Sequence, residues 1–213
     1  MRIIGGTAAG RILKAPKGFD VRPTPDLVRQ AIFNSLGARV VGATVLELFA
    51  GTGALSLECL SRGAAGALCI EKSNKHAGFI RQNVAAAGLD TAHFQIRVQD
   101  AFVALAQLAA AGEQFDLILA DPPYGEKNIN RRSTSFAQQL LDDAHLPRVC
   151  RSNGLFVLGH TKRDTLSLRT SWPAPAPPRQ PIWQEIKMLK HGDTVIKFFQ
   201  LNTATENSTS KNP

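Results

Sequence analysis

The sequence predicts an α/β fold in which a mostly parallel sheet is covered by helices on both faces. Short apolar segments alternate with amphipathic segments between residues 44 and 160, and the most apolar of them, Phe115–Ala120, is expected at the centre of the sheet. A Gly192-Asp193 turn separates the last two strand-like segments, and such a turn joins antiparallel neighbours. The sheet is therefore predicted to end in an antiparallel hairpin.

The beginning of the chain predicts a small basic hairpin followed by a helix. Residues 2–19 are basic and contain glycines between short apolar stretches, a pattern typical of two short paired strands. Thr24 is predicted to cap the helix, with Pro25 at its first position and Gly37 near its end. We therefore predict a basic N-terminal hairpin over residues 1–21 and a main domain over residues 22–201.

The other elements follow from hydrophobic periodicity. The predicted strands are Thr44–Leu48, Ala67–Glu71, His93–Val98, Phe115–Ala120, Gly154–His160, Trp183–Lys190 and Thr194–Leu201. The predicted helices are Ala54–Arg62, Asn74–Ala87, Ala101–Ala111 and Ser135–Cys150. Five prolines between residues 173 and 181 predict an extended loop. The polar segment 202–213 is predicted to be a disordered tail because it has almost no apolar content.

Composition limits the classes of function. The 213 residues, 44% hydrophobic, suffice for one substantial core, and the formal charge of +8 favours a polyanionic partner such as nucleic acid. No apolar run reaches the ~18 residues that span a bilayer, and the first residues lack the pattern of a signal peptide, so we expect a cytoplasmic protein without a membrane partner. The three cysteines are widely spaced and predict buried reduced thiols and no metal site.

A glycine-rich turn predicts a cofactor site. The apolar strand that contains Glu47 leads into Phe49-Ala50-Gly51-Thr52-Gly53, where the glycines allow close approach to the backbone. A nicotinamide dinucleotide would require a third glycine, but that position is Ser56. S-adenosylmethionine (SAM) has no pyrophosphate and fits better. The predicted cofactor contacts within this half of the site are Glu47, Phe49, Ala50, Gly51, Thr52 and Gly53.

Two acidic residues at later strand ends complete the predicted cofactor site. Glu71 follows Gly51 by twenty positions, the spacing at which a carboxylate accepts hydrogen bonds from a ribose. Asp100 is placed to accept from the adenine amino group, while the neighbouring backbone N–H at Ala101 serves the ring nitrogen. Each acid taken alone is equally well explained as a turn or a helix cap. Their succession at neighbouring strand ends favours a ligand site.

Asp121-Pro122-Pro123-Tyr124 predicts methyl transfer to an exocyclic amino nitrogen. The lone pair of such an amine is delocalised, so a catalyst must localise it. The Asp121 carboxylate, also counted among the cofactor contacts, and the Pro122 carbonyl can accept the two amine hydrogens. Pro123 helps to fix the loop, and Tyr124 offers a face on which an extruded base can stack. The loop alone leaves adenine, guanine, cytosine and amide nitrogens open.

Several segments together resemble a known family. Residues 2–6, Gly10-Arg11, residues 22–34, Glu47–Gly53, Asp121–Tyr124 and Gly192–Thr194 are similar to the nucleic-acid amino-methyltransferases with an Asp/Asn-Pro-Pro-Tyr/Phe/Trp motif, and within them to bacterial 16S ribosomal RNA guanine-N2 methyltransferases of the RsmD type. The resemblance implies a Rossmann-like class I methyltransferase with a seven-stranded sheet. It also implies SAM as cofactor and guanine N2 in small-subunit ribosomal RNA as the target.

The resemblance adds further site residues. It implies that Arg22 and Thr24 hold the methionine end of the cofactor. It also implies that ribosomal RNA, within an assembled or assembling small subunit, contacts a basic set of residues, namely Arg2, Arg11, Lys14, Lys17 and Arg29. The family usually carries an acidic residue before the histidine that ends the last core strand, whereas this chain has Gly159-His160. We interpret His160 as a structural residue.

Other functions stay open at this stage. A DNA adenine-N6 methyltransferase would use the same loop, but it normally carries a base-reading domain, for which no segment here is long enough. Enzymes that methylate a protein glutamine amide favour Asn at the position of Asp121. The chain could also be a non-catalytic RNA-binding module that retains a methyltransferase fold, in which case it would not bind SAM.

Overall fold

The computed structural model describes residues 1–16, 24–124, 132–168 and 182–202. Within these ranges, seven strands form one sheet. They are β1 (Thr44–Leu48), β2 (Gly66–Glu71), β3 (Phe94–Val98), β4 (Phe115–Ala120), β5 (Cys150–Thr161), β6 (Ile182–His191) and β7 (Thr194–Asn202). Lys17, Arg22, the predicted domain boundary after residue 21, the proline-rich loop and residues 203–213 lie outside the described residues.

The strand order is β3-β2-β1-β4-β5-β7-β6, with β4 at the centre. The first five strands along the chain pair in parallel, and β7 pairs antiparallel with both β5 and β6. The predicted mostly parallel sheet with a terminal hairpin is therefore confirmed. Because the chain moves outward from β1 to β3 and then returns to β4, the sheet has a topological switch point between β1 and β4.

Helices cover both faces of the sheet. They are α1 (Asp26–Leu36), α2 (Ala54–Ser61), α3 (Asn74–Ala87), α4 (Ala101–Ala110), α5 (Phe136–Asp142) and α6 (Leu146–Val149), and a short 3₁₀ segment, Gly37–Val40, follows α1. One buried cluster joins α4, α5 and α6 to alternate residues of β1, β4 and β5. A second joins α1 and α2 to the opposite faces of the same strands. This two-sided burial explains why the central strands read as continuous apolar runs.

The N-terminal arm, residues 1–16, forms the predicted small hairpin. Arg2 bridges Ile12 in antiparallel fashion, and Ile3, Ala8 and Leu13 pack against α2 and α3. The buried Glu58 of α2 accepts hydrogen bonds from the backbone N–H groups of Ile4 (2.7 Å) and Gly5 (2.8 Å). The arm is thus fastened to the helix that follows the glycine-rich turn.

Three local predictions were wrong. Thr24 does not cap α1, because Pro25 is the N-cap and the Thr24 hydroxyl is directed elsewhere. The predicted helix Ser135–Cys150 is two helices, since Asp143 accepts from the backbone N–H groups of His145 and Leu146, each at 2.8 Å, and so forms a turn between them. Asn202, assigned to the tail, is the last residue of β7.

The described helices include none that is both long enough and apolar enough to cross a bilayer. All three cysteines are buried and free, as predicted.

Candidate active site

One edge of the sheet carries the Phe49–Gly53 turn, Glu71, Asp100 and Asp121. In the parallel register, Leu48 pairs with Ile70 on one side and with Ala120 on the other. The loops that follow β1, β2 and β4 therefore begin next to one another. This edge is the carboxyl edge at the switch point, where open α/β sheets bind ligands.

The glycine-rich turn has left-handed backbone at both of its glycines. Gly51 has φ 55° and Gly53 has φ 72°. A β-carbon on Gly53 would meet Ile80 Cγ2 at 2.9 Å, so the turn is tightly packed against α3. Phe49 also has a positive φ, 56°, which is uncommon outside glycine and marks this turn as constrained.

Glu71 lies beside this turn. Its carboxylate accepts from the backbone N–H groups of Gly51 (2.7 Å) and Ser73 (2.8 Å). His76 Nδ1 lies 3.5 Å from the same carboxylate. Glu71 therefore holds the turn in place, and its predicted contact with a ribose stays a prediction.

Glu47 lies beneath the turn and does not reach the site. It is 3% exposed, and its carboxyl accepts from the backbone N–H of Ser56 at 2.9 Å. Burial raises the pKa of Glu47 to about 7, and the hydrogen bonds from Ser56 and Cys69 oppose the rise. The prediction of a direct cofactor contact by Glu47 is therefore wrong, because the side chain supports the turn from inside the core.

Asp100 and Ala101 lie at the end of β3. Asp100 caps α4 by accepting from the backbone N–H of Phe102 at 3.0 Å, and it also pairs with Lys72 at 3.2 Å. Burial raises the pKa of Asp100, but these donors outweigh that effect and lower it. Ala101 is buried. The cap accounts for one carboxylate oxygen, and the proposed adenine contact stays a prediction.

Asp121 follows β4 and has one hydrogen-bond donor among the described residues. Thr24 Oγ1 donates to its Oδ2 at 2.5 Å, whereas its Oδ1 is buried and has no hydrogen-bond partner among the described residues. Burial raises the pKa of Asp121 and the Thr24 hydroxyl opposes the rise. The register places Asp121 next to Gly159, where a β-carbon would overlap Oδ1. The missing side chain leaves a small cavity that Thr24, Asp121 and Gly159 help to line.

The rest of the Asp-Pro-Pro-Tyr loop turns outward from β4. Pro122 is buried, whereas Pro123 is exposed and the Tyr124 residue is 41% exposed. The Tyr124 hydroxyl lies 3.0 Å from Thr194 Oγ1 at the start of β7. The C-terminal hairpin thus orients the aromatic ring that was predicted to stack on a base.

The basic residues predicted to contact RNA divide into two groups. Arg2, Arg11 and Lys14 are exposed on the N-terminal arm. Arg29 is 0% exposed, and its guanidinium donates to the carbonyl oxygen of Thr24 at 2.9 Å and to Asp26 Oδ1 at 3.0 Å. The prediction that Arg29 contacts RNA is therefore wrong, because the side chain is occupied inside the protein.

Sequence reasoning missed three residues that the structure brings to this site. Gly159 faces Asp121, Thr194 meets Tyr124, and the buried Asn83 of α3 donates to the carbonyl oxygens of Thr52 (3.0 Å) and Lys14 (2.9 Å). At Gly159 the available signal is the departure from the family's usual acidic residue. Asn83 offers no local signal.

His160 is buried, as expected of a structural residue. Its Nδ1 lies 2.9 Å from the Thr161 carbonyl oxygen, and burial lowers its pKa. Among the described residues, no cluster of three or more His, Cys, Asp or Glu side chains could hold a metal ion.

The sheet order, the antiparallel end and the carboxyl-edge site define the class: this is the Rossmann-like methyltransferase fold. More closely, the chain belongs to the family described as Conserved hypothetical protein 95, whose model matches residues 1–169. The resemblance to RsmD-type proteins is confirmed by curated relatives. Ribosomal RNA small subunit methyltransferase D of Escherichia coli K12 is 40% identical over 124 residues, which cover 58% of this chain and 60% of that protein.

Other relatives agree over a larger share of the chain. YlbH of Bacillus subtilis, which is named as a provisional rRNA methyltransferase, is 37% identical over 144 residues. These residues cover 67% of this chain and 78% of YlbH. The solved structure of E. coli yhhF has a TM-score of 0.70 at 29% identity and covers 94% of this chain and 97% of its own. A hypothetical protein of Thermus thermophilus has a TM-score of 0.73 at 26% identity, with 94% and 99% covered.

Proposed function

We propose that this protein transfers a methyl group from SAM to the exocyclic N2 amine of a guanine in small-subunit ribosomal RNA. One observation carries the proposal. The Asp121–Tyr124 loop leaves the central strand immediately beside the glycine-rich turn, because Ala120 and Leu48 are paired in the sheet. A loop that can grip an amine therefore adjoins a turn that can approach a small cofactor.

The described residues fit SAM as the methyl donor. The turn has glycine at positions 51 and 53, where φ is positive, and two carboxylates, Glu71 and Asp100, lie at the ends of the neighbouring strands β2 and β3. We assign Glu71 to the ribose hydroxyls, Asp100 to the adenine amino group, and Thr24 to the methionine end. When bound, SAM supplies an electrophilic methyl group on a sulfonium.

The protein's own residues prepare the nucleophile. The Asp121 carboxylate and the Pro122 carbonyl accept the two hydrogens of the target amine, so its lone pair is localised and directed away from the ring. Two prolines restrict the loop and so reduce the entropy lost when the amine is aligned. Tyr124, held by Thr194, stacks on the base and offsets part of the cost of extruding it.

The substrate assignment depends on charge and on the relatives. The formal charge of +8 and the exposed basic residues of the N-terminal arm suit RNA phosphates. The E. coli relative is named as a small-subunit rRNA methyltransferase. Guanine N2, an assembled or assembling small subunit, and a cytoplasmic site of action are the finer parts of the proposal.

The test offers one protein several acceptors. Purified protein is incubated with methyl-labelled SAM and small subunits, naked 16S rRNA, duplex DNA or a glutamine-containing peptide, and the labelled product is identified by mass spectrometry. We expect N2-methylguanosine in the rRNA. N6-methyladenine, methylglutamine, or no SAM binding by calorimetry would each contradict the proposal and would point to one of the rival functions.

A further inference from the structure

A buried guanidinium connects two segments that flank the proposed active site. Arg29 lies on α1, and its Nη2 donates to the carbonyl oxygen of Arg2 in the N-terminal arm and to Asp26 Oδ1. Its Nη1 donates to the carbonyl oxygen of Thr24 at 2.9 Å. One side chain therefore fixes both the arm and the residue whose hydroxyl meets Asp121.

The burial of Arg29 is costly. It is 0% exposed, and its Nε has no hydrogen-bond partner among the described residues. Removing a guanidinium from water is unfavourable, and burial lowers the pKa of Arg29 although Asp26, Glu58 and Glu47 oppose the fall. The neighbours on its side of α1, Ile32, Phe33 and Leu36, are all apolar, so an apolar residue would suit this position for packing alone. The observed contribution of the cation is to join the main chain at Arg2 and at Thr24.

That contribution is visible at Asp121. Thr24 is the residue whose main chain Arg29 holds and whose hydroxyl donates to Asp121 Oδ2 at 2.5 Å. Since Oδ1 has no hydrogen-bond donor among the described residues, the Thr24 hydroxyl is the donor that sets the orientation of the carboxylate there. A displacement of Thr24 would turn the carboxylate away from the position in which it grips an amine.

We propose that Thr24 and Arg29 are positioning residues for Asp121. Thr24 orients the carboxylate through its hydroxyl, and Arg29 fixes the main chain of Thr24 relative to the N-terminal arm. The proposal rests on the proposed amine-gripping role of Asp121. It also assigns Thr24 a task beyond any contact with the methionine end of the cofactor. Neither residue touches the reacting atoms, and both act through Asp121.

The chain contains a matched control. Thr44 Oγ1 donates to Asp116 Oδ2 at 2.7 Å, so the same pair of groups meets at the opposite end of β4. There the carboxylate also accepts from the Thr44 backbone N–H at 2.8 Å and from Arg151 at 3.0 Å. Thr44→Val therefore removes a comparable hydrogen bond far from the proposed site, together with the longer one (3.3 Å) that the Asp116 backbone N–H donates to the same hydroxyl.

The experiment compares Thr24→Val, Thr24→Ser, Arg29→Lys and Thr44→Val. Methyl transfer to small subunits gives kcat and the KM values for SAM and RNA. Carboxyl ¹³C NMR follows the titration of Asp121 in the SAM-free protein. We expect Thr24→Val to lower kcat by up to about 100-fold, the usual cost of misplacing a reacting group by an ångström, while its KM for RNA changes little. Its Asp121 titration should move to higher pH, because a donor to the carboxylate is lost.

The other variants separate positioning from general damage. Thr24→Ser retains the donor and should restore kcat and the titration, and Thr44→Val should leave both unchanged. Arg29→Lys should shift kcat and the titration in the same direction as Thr24→Val, without weakening RNA binding. The double variant Thr24→Val/Arg29→Lys should be less impaired than the sum of its parts, because both act on one path. If Arg29→Lys does not fold, the two Thr24 variants carry the test.

Failure of the positioning proposal and failure of the proposed function give different results. A Thr24→Val protein with wild-type kcat and an unmoved Asp121 titration would overturn the positioning role, as would an equal loss in Thr44→Val. If the wild-type protein methylates none of the acceptors, the proposed function fails, but the NMR titrations still decide whether Thr24 and Arg29 hold Asp121.

Discussion

The two ends of β4 carry carboxylates in opposite surroundings. At the amino end, Asp116 accepts from the backbone and hydroxyl of Thr44 and from Arg151. Burial raises the pKa of Asp116, but these donors outweigh it and lower the pKa. At the carboxyl end, Asp121 has one donor, Thr24, among the described residues, and burial raises its pKa.

The difference separates a structural end of the sheet from a functional one. A carboxylate that serves only stability is surrounded by donors, because an unsatisfied buried oxygen costs free energy. Asp121 retains an unsatisfied oxygen at the edge where ligands bind, and burial raises its pKa. Strongly perturbed groups at a ligand-binding edge are candidates for function. Four predictions test the contrast.

The largest effect is expected on catalysis. Asp121→Ala should lower kcat for methyl transfer by roughly 100- to 1000-fold, the usual result of removing one preorganised hydrogen-bonding group from a transition state. The Kd for SAM should change little, because the lost group grips the amine. Asp116→Ala should destabilise the protein and leave kcat nearly unchanged. Single-turnover kinetics and calorimetry measure these quantities, and an equal loss of SAM binding in Asp121→Ala would contradict this division.

The next effect is on stability at Glu47. Because its folded pKa of about 7 exceeds the ordinary 4.5, its contribution is present at low pH and is lost as pH rises through 7. Glu47→Gln cannot ionise and should flatten this decline, by roughly 3 kcal/mol at most above pH 7. Urea unfolding between pH 4 and pH 8 measures it. Glu113→Gln, at a partly exposed ion pair, is the control, and parallel curves for wild type and Glu47→Gln would refute the burial argument.

The third prediction concerns the sign of the pH dependence. The lowered pKa of Asp116 makes its contribution present at neutral pH and lost as pH falls, so Asp116→Asn should destabilise chiefly at neutral pH. The raised pKa of Asp121 has the opposite sign, so Asp121→Asn should stabilise at neutral pH and have no effect in acid. Unfolding free energies across that range check both signs. Changes of the same sign would remove the contrast between the two ends.

The smallest effect is expected at Arg151. Its ion pair with Asp116 has an N–O distance of 3.0 Å, and the Arg151 side chain is 50% exposed. Exposed pairs contribute less than about 1 kcal/mol, so Arg151→Ala should lower stability by no more than that, and by less in high salt. A larger loss in thermal or urea unfolding would mean that Arg151, and not Thr44, dominates the support of Asp116.

The strands and the central position of β4 could be predicted because alternation and apolar runs are local signals. The site edge followed, since parallel strands end together. Arg29 shows a signal that was present but misinterpreted. It lies three, four and seven residues before Ile32, Phe33 and Leu36, so it belongs to the buried stripe of α1. A basic residue in such a stripe indicates a buried cation with backbone partners.

Other features depend on tertiary pairing and had no local signal. Gly159 meets Asp121 because β4 and β5 pair in a particular register, which the two segments alone do not specify. Thr24 resembled a helix cap in sequence, but its hydroxyl is used by a residue 97 positions away. The break at Asp143 is different, because Pro147 is a local signal for it: proline is disfavoured inside a helix and lies in the first turn of α6.

The contact between Gly159 and Asp121 couples the choice of residue at position 159 to the choice at position 121. A β-carbon at 159 would occupy space that Asp121 Oδ1 already fills, so a substitution at one position changes which side-chain conformations the other can adopt. We therefore expect residues 121 and 159 to vary together among relatives of this chain. Libraries that alter the amine specificity of the loop should randomise both codons at once.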